Sequence, residues 1–297
     1  MIIKHLSDLH INPYYNKVNF EKTKFVLENI VNSEFDHLII TGDIAHDADK
    51  ESFLLVKDLL KEYNLLDSSK TTITIGNHDI FGGVYTVKDL IKFPEKCKKT
   101  NFESKVIEFV NYFEELFIDC YFPQDNRFFP FVKFIDSYAL ISINTNDVYS
   151  SLKNPFASNG KVNDYDFKII KTLFEENRIK DKSKIILSHH HFNKNDYETK
   201  SSSNEIWNKI EGYTLKLRGK KKLLKLFAEN KVTAVLHGHN HENKYYERMG
   251  INFFNSGGSI DNDNENLATV NTIKFYGDEI IYSFAEHQLD LVDSIYI

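Results

Sequence analysis

Short hydrophobic runs alternate with amphipathic segments along most of the chain. Each run has four or five residues and is followed by small or polar residues, the pattern of a buried strand. The runs are 2–6, 37–41, 71–75, 139–143, 184–187, 232–236 and 251–254. Between them, segments 20–31, 52–63, 102–117, 165–177 and 220–230 repeat apolar residues at helical spacing. This alternation predicts an α/β fold with a largely parallel sheet.

Two regions depart from this alternation. Residues 269–276 and 279–284 flank Gly277 and Asp278, which predicts a hairpin and a second, more antiparallel sheet. Residues 81–130 are crowded with aromatic side chains, which we expect to bury a helical insertion against the core. A cap over a substrate pocket is the alternative for this insertion. Because no repeat or long linker is visible, we predict a single domain, 1–297.

Charge and composition restrict the class of function. The 297 residues include 37 basic and 43 acidic side chains, a net charge of −6, and 41% are hydrophobic. This acidic balance argues against a protein that coats nucleic acid or binds an anionic membrane. Cys97 and Cys120 cannot form a disulfide framework, and no apolar run approaches the ~18 residues of a membrane span. We expect a soluble, cytoplasmic protein.

Histidine, aspartate and asparagine residues collect where predicted strands end. In open α/β sheets, ligands bind outside the carboxyl ends of the strands, so residues distant in sequence converge there. The motifs are SDLH with Asp8 and His10, TGD with Asp43, GNHD with Asn77, His78 and Asp79, LSHHHF with His189, His190 and His191, and LHGHNH with His239 and His241.

These residue types suit a pair of divalent metal ions. Imidazole favours Fe or Zn, and carboxylate and amide oxygens favour harder ions such as Mn. Asp8 and His10 are two residues apart, which in extended chain places both side chains on one side, and His239 and His241 repeat this spacing. The two oxygens of Asp43 allow it to reach both ions. Two dications beside the Asp8 and Asp43 carboxylates leave two positive charges, which suits an anionic phosphate.

In this order the five motifs resemble those of the calcineurin-like metallophosphoesterases, from Asp8 to His241. The resemblance implies two packed mixed β-sheets flanked by helices. It also implies a first metal held by Asp8, His10, Asp43 and His241, and a second held by Asp43, Asn77, His189 and His239. His78 is then the histidine that contacts the substrate without binding metal.

One motif departs from the family pattern. LSHHHF has His191 where many bacterial phosphodiesterases of the family have proline. The motif therefore does not decide which of the three adjacent histidines is the metal ligand. Aligning the strand end makes His189 the ligand and leaves His190 and His191 as pocket groups. His46, close to Asp43, is a further pocket candidate. The stretch 121–144 most resembles bacterial class III cyclic-nucleotide phosphodiesterases.

The expected activity is hydrolysis of a phosphate ester by a metal-activated hydroxide. Two ions lower the pKa of a bridging water from about 15.7 towards about 7, and His78 contacts a phosphoryl oxygen or protonates the leaving alkoxide. Asp79 either orients His78 or caps the following turn. We expect a phosphodiesterase acting on a small diester such as a cyclic nucleotide. The alternatives are a phosphomonoesterase, a nuclease of the same superfamily, and a catalytically silent binding module.

Two charged segments receive no role in this chemistry. The basic run 216–225 precedes an apolar helical pattern and is interpreted as the solvated face of a helix. Residues 261–265 are interpreted as a polar loop, because they lack the spacing and the glycine of a calcium loop.

Overall fold

A computed structural model describes residues 1–84, 87–193, 216–262, 264, 266–277 and 279–289. The strands within this part of the chain are β1 (Ile2–Leu6), β2 (His37–Thr41), β3 (Thr71–Thr74), β4 (Phe131–Ile135), β5 (Tyr138–Ser142), β6 (Gly160–Lys161), β7 (Ser183–Leu187), β8 (Leu217–Arg218), β9 (Val232–His237), β10 (Asn243–Arg248), β11 (Ile251–Ser256), β12 (Leu267–Tyr276) and β13 (Glu279–Gln288). The helices are α1 (Lys17–Val31), α2 (Lys50–Glu62), α3 (His78–Phe81), α4 (Val87–Lys99), α5 (Phe102–Tyr112), a 3-10 helix (Glu114–Phe117), α6 (Asp164–Glu175), α7 (Asn177–Lys180) and α8 (Lys220–Glu229).

Two mixed sheets form the centre of the fold. The first has the strand order β13-β12-β1-β2-β3, and the second has the order β10-β11-β9-β7-β5-β4. Strands β1, β2 and β3 are parallel, as are β5, β7, β9 and β11, while the outer pairs are antiparallel. The prediction of two mixed sheets flanked by helices is therefore confirmed.

The two sheets pack face to face, with helices on their outer faces. Ile3 and Ile39 of the first sheet share one buried cluster with Leu140 and Leu236 of the second. Apolar residues of α1, α2 and α5 pack on the outer side of the first sheet, and those of α6 and α8 pack on the second. Strands buried on both faces have near-continuous hydrophobic runs, which is why the central strands were visible in the sequence.

Aromatic residues of α5 and of the segment that follows it pack against the core. Phe109 of α5 and Phe113, directly after that helix, are fully buried, and their ring centroids lie 5.8 and 5.9 Å from that of Phe53 on α2. Edge-to-face pairs at such distances are a normal mode of aromatic packing. The packing interpretation of these aromatics therefore agrees with the structure, while the single-domain boundary stays a prediction.

The hairpin at 269–284 is present, but the prediction of a separate antiparallel sheet is wrong. Strands β12 and β13 pair around Gly277, and β12 also pairs with β1 in antiparallel register, Ile3 opposite Ile273. Ile273 is buried between the two large sheets, so its strand extends the first sheet. Within the described residues, no helix combines the length and apolarity needed to cross a bilayer.

Candidate metal centre

The polar residues at the strand ends stand on unusual backbone. Asp8, His10, Asp43, His239 and His241 have φ angles of 55°, 45°, 49°, 80° and 48°, the left-handed region that non-glycine residues rarely occupy. Each such residue costs about 1–3 kcal/mol unless the surrounding structure holds it. Here the loops hold one another, because the backbone N–H of Asp8 donates to the Gly42 carbonyl at 3.1 Å and that of His10 to the Asp43 carbonyl at 3.0 Å. The fold thereby aims these side chains at one region.

A first cluster forms around Asp8 and His10. His10 Nε2 lies 3.8 Å from Asp8 Oδ1 and 3.7 Å from Asp43 Oδ2. His241 Nε2 lies 3.7 Å from Asp8 Oδ1. Potential ligand atoms of Asp8, His10 and His241 all lie within 4.8 Å of one another, a spacing that one metal ion can span.

A second cluster surrounds His189. Its Nε2 atom lies 3.2 Å from Asp43 Oδ2, 3.1 Å from Asn77 Oδ1 and 3.0 Å from His239 Nδ1. The other ring nitrogen, Nδ1, donates to the Thr41 carbonyl at 2.9 Å. Such a bond fixes the ring and its tautomer, so that Nε2 is left with a lone pair for a metal.

One carboxylate oxygen joins the two clusters. Asp43 Oδ2 lies 3.7 Å from His10 Nε2 in the first cluster and 3.2 Å from His189 Nε2 in the second. The other oxygen, Oδ1, accepts a hydrogen bond of 2.8 Å from the backbone N–H of His78. The arrangement therefore offers a single oxygen atom for both clusters, whereas the sequence had suggested one oxygen for each ion.

Several buried ligand atoms lack a partner of their own. Asp8 Oδ1, His10 Nε2 and His239 Nε2 have no hydrogen bond within the described part of the chain. An unsatisfied buried polar atom costs about 1–3 kcal/mol, and a bound cation would remove that cost. Burial opposes protonation of His10 and His189, yet the neighbouring carboxylates raise the pKa of each to about 9. This donor set and its negative potential fit a pair of divalent cations.

The sequence comparison agrees with this geometry. The family model described as "Calcineurin-like phosphoesterase" matches residues 1–243. The chain belongs to the calcineurin-like phosphoesterase family. Membership gives the activity class, metal-dependent hydrolysis of phosphate esters. No curated protein sequence matches the chain at a significant level.

Solved structures of phosphoesterases resemble this family member. A dimetal phosphatase from Danio rerio superposes with a TM-score of 0.59, covering 97% of this chain and 98% of that chain at 9% identity. This likeness shows the fold. A phosphopantetheinyl hydrolase from Mycobacterium tuberculosis has 14% identity, coverages of 85% and 87% and a TM-score of 0.46. An archaeal phosphodiesterase has 11% identity, coverages of 96% and 100% and a TM-score of 0.42.

The three adjacent histidines of this calcineurin-like chain occupy different surroundings. Both ring nitrogens of His190 are engaged, Nδ1 with Thr145 Oγ1 at 2.9 Å and Nε2 with the Ser158 carbonyl at 3.2 Å. Its ring lies 4.2 Å from the His239 ring, and His191 is also buried. His189 alone of the three has a ring nitrogen within 3.2 Å of Asp43 and Asn77 in the contacts described above. The geometry thus favours His189 as the ligand.

His78 lies next to the first cluster. Its ring centroid is 4.4 Å from that of His10 and 4.9 Å from that of His46. Nδ1 donates to the His46 carbonyl at 3.1 Å, which leaves Nε2 for another partner. Burial lowers the pKa of His78 to about 4. His46 therefore contributes a ring and a carbonyl to this side of the pocket.

Asp79 bridges two loops. Its carboxylate accepts hydrogen bonds from the backbone N–H groups of Gly76 at 2.8 Å and Ala45 at 3.1 Å. Burial, and secondarily the Asp43 charge, raise the pKa of Asp79 to about 7. These contacts join the loop after β2 to the loop after β3, and neither bond goes to the His78 ring. Asp79 thus joins the two loops in the structure, and its role in orienting His78 or capping the following turn stays a prediction.

One neighbour of the first cluster was missed in the sequence. Asp261 Oδ2 lies 3.8 Å from His10 Nε2 and 3.4 Å from His241 Nδ1. The sequence interpretation of 261–265 as a polar loop overlooked that Asp261 follows β11, a parallel neighbour of β9. Asp261 lies beyond the turn at Gly257 and Gly258, five residues after the end of β11, so it does not directly follow a strand as the other site residues do.

Proposed function

We propose that this protein is a dinuclear metal-dependent phosphodiesterase acting on small diesters such as cyclic nucleotides. The observation that supports it most is the shared Asp43 oxygen, 3.7 Å from His10 Nε2 and 3.2 Å from His189 Nε2. A carboxylate between two ligand clusters is the arrangement that holds a pair of ions. The fold similarity to a dimetal phosphatase is consistent with such a pair.

Each cluster is assigned one ion, with Mn, Fe or Zn as candidates. In this proposal the first is held by Asp8, His10, Asp43 and His241, and the second by Asp43, Asn77, His189 and His239. Mixed imidazole, carboxylate and amide donors accept all three metals. When bound, two dications supply Lewis acidity and hydroxide at neutral pH for in-line attack on phosphorus.

His78 is proposed to act directly on the substrate. Because its Nδ1 is bonded to the His46 carbonyl, Nε2 is the atom available to a phosphate oxygen. Burial keeps the free ring neutral, and an anionic phosphate beside Nε2 opposes that effect and favours a proton there. This proton then passes to the leaving alkoxide, a contribution typically worth about 10²–10⁴ in rate. Half-buried His46 and the buried His190 and His191 are proposed to complete the pocket.

The charge of the site favours a diester over a monoester. Besides Asp8 and Asp43, the Asp261 carboxylate lies 3.8 Å from His10 Nε2. Two dications with three carboxylates leave a single positive charge. A phosphodiester carries one negative charge and a monoester nearly two at neutral pH, so the diester is the better match. The cytoplasmic location expected from the sequence stays a prediction.

The test compares bis-p-nitrophenyl phosphate with p-nitrophenyl phosphate, using metal-stripped protein reconstituted with Mn²⁺. We expect faster cleavage of the diester, and His78→Ala should lower kcat by about 10²–10⁴ with bound Mn²⁺ unchanged. His287→Ala is the control, because that histidine lies beside Phe25, outside the clusters. Screening of cyclic nucleotides follows from diester activity.

Three outcomes contradict the proposal in different ways. Faster cleavage of the monoester moves the assignment to a phosphomonoesterase. Inactivity on both esters with two Mn²⁺ bound favours the binding-module alternative. Equal activity of His78→Ala and wild type removes His78 from the chemistry.

A further inference from the structure

His241 differs from the other candidate ligands in its exposure. Its side chain is 42% exposed, whereas those of Asp8, His10 and Asp43 are no more than 2% exposed. A partly exposed side chain keeps rotamer freedom that metal binding must remove, at a cost in free energy. A first metal site that uses His241 therefore needs something to hold the imidazole in place.

The Asp261 carboxylate occupies the position required for that purpose. Asp261 Oδ2 lies 3.4 Å from His241 Nδ1, while Nε2 on the other side of the ring lies 3.7 Å from Asp8 Oδ1. We propose that Asp261 is a positioning residue, which accepts the Nδ1 proton of His241 and directs Nε2 into the first metal site. This inference rests on the proposed function, because it takes His241 to be a metal ligand.

The backbone at Asp261 is bonded to neighbouring parts of the fold. The backbone N–H of Asp261 donates to the Asp8 carbonyl at 3.3 Å, which ties the loop to another proposed ligand of the same ion. The fully buried Lys22 on α1 donates to the carbonyls of Ile260 at 3.0 Å and Asn264 at 2.7 Å. These bonds at and on either side of Asp261 hold the backbone that bears its carboxylate.

The side chain of Asn262 links residues before and after Asp261 in the chain. Its Nδ2 donates to the carbonyls of Gly258 and Leu267, each at 3.0 Å. The backbone at Asp261 is therefore tied by hydrogen bonds, and the Asp261 side chain, 32% exposed, is more covered than the His241 imidazole at 42%. We expect the Asp261 carboxylate to restrict the orientation of the His241 ring.

This arrangement affects one ion more than the other. A carboxylate bonded to the far nitrogen of a ligating histidine orients the ring and raises its basicity, and its loss typically lowers metal affinity about 10–100-fold. The second cluster is buried, and its His189 is oriented by the Thr41 carbonyl. Removing Asp261 should therefore weaken the first site and leave the second unchanged.

The experiment measures equilibrium binding of Mn²⁺ alone to metal-free protein, without substrate. We expect wild type to bind two ions, and Asp261→Ala to bind one with unchanged affinity and the other about 10–100-fold more weakly. Asp261→Asn keeps an oxygen acceptor and should lose less affinity. Glu242→Gln is the matched control, because it removes the same charge next to His241 from a carboxylate that accepts from Asn240.

A spectroscopic readout separates positioning from a general structural effect. In Zn²⁺-loaded wild type, ¹⁵N NMR should show the proton of His241 on Nδ1, with the signal assigned by its loss in His241→Gln. In Asp261→Ala this protonation preference should weaken, while the thermal midpoint of the metal-free protein stays unchanged.

The outcomes distinguish this inference from the proposed function. If wild type binds two Mn²⁺ ions and Asp261→Ala binds both with the same affinities, Asp261 has no positioning role and the dinuclear proposal stands. A wild type that binds fewer than two Mn²⁺ ions contradicts the proposed function itself. Equal weakening of both sites, or a lowered midpoint without metal, would overturn the inference in favour of a structural role.

Discussion

Gly76 offers a direct test of how the centre is built. This residue follows β3 and precedes Asn77, and its backbone passes very close to Asp43. A Cβ atom on Gly76 would lie 2.1 Å from Asp43 Oδ1 and 2.3 Å from the Asp43 backbone nitrogen. Such atoms essentially never approach within 3.0 Å, so Gly76→Ala forces a relative shift of about 1 Å at the shared carboxylate.

The size of the effect follows from that shift. A displacement of about 1 Å at a catalytic group costs about 10²-fold in rate, and overpacking costs about 1–3 kcal/mol in stability. Because Asp43 Oδ2 contacts both clusters, both ions should be affected. We expect kcat/KM for bis-p-nitrophenyl phosphate to fall at least about 10²-fold, with fewer than two Mn²⁺ ions bound per chain.

The assay combines diester hydrolysis, metal content and thermal unfolding. Gly258→Ala is the milder comparison, because its Cβ would meet Asn243 Nδ2 at 3.1 Å and the His241 carbonyl oxygen at 3.2 Å, contacts that shifts of a few tenths of an ångström relieve. We expect this variant to stay within a few-fold of wild type. If Gly76→Ala keeps full activity and two bound metals, the packing of Asp43 against Gly76 does not determine the centre, and the reasoning is refuted.

Three further predictions concern stability. Phe113→Ala should lower the free energy of unfolding by about 3–5 kcal/mol, and Ile107→Ala, 47% exposed on the preceding helix α5, by less than about 0.5 kcal/mol, both measured in urea. Burial lowers the pKa of His37 from 6.5 to about 3, so the unfolded chain binds the extra proton below pH 6.5. Between pH 6 and 4, stability should therefore fall more steeply in wild type than in His37→Gln, by about 1.4 kcal/mol per pH unit; parallel pH curves would contradict this. Stripping metal with EDTA should lower the thermal midpoint and added Mn²⁺ should restore it, because the ions bind the folded state; an unchanged midpoint would argue against a metal centre.

Much of the fold was predictable because its strands are buried on both faces. β1 and β2 match the predicted runs 2–6 and 37–41 because a hydrophobic run is a local property of the sequence. The position of β12 was not predictable in this way. Its partner β1 lies more than 260 residues away, and a hairpin pattern does not reveal which sheet edge receives it.

In the candidate site, too, some features were predictable from the sequence and others were not. The residues at the strand ends could be predicted from the sequence, because parallel strands bring their carboxyl ends to one edge of the sheet. The contacts of Asp79 with Gly76 and Ala45 depend on how two loops approach each other in space. The approach of Asp261 to His241 depends on the path of the loop after β11. The spacing of residues within a motif determines neither the Asp79 contacts nor the approach of Asp261 to His241.

The dispersion of the proposed ligands along the chain has a consequence for biosynthesis. Asp8 and His10 emerge from the ribosome more than 220 residues before His239 and His241. Strand β1 also depends on β12, which is made later still. A nascent or unfolded chain thus lacks the complete ligand set of either proposed site. We expect both ions to bind only once strands distant in sequence have come together in the fold.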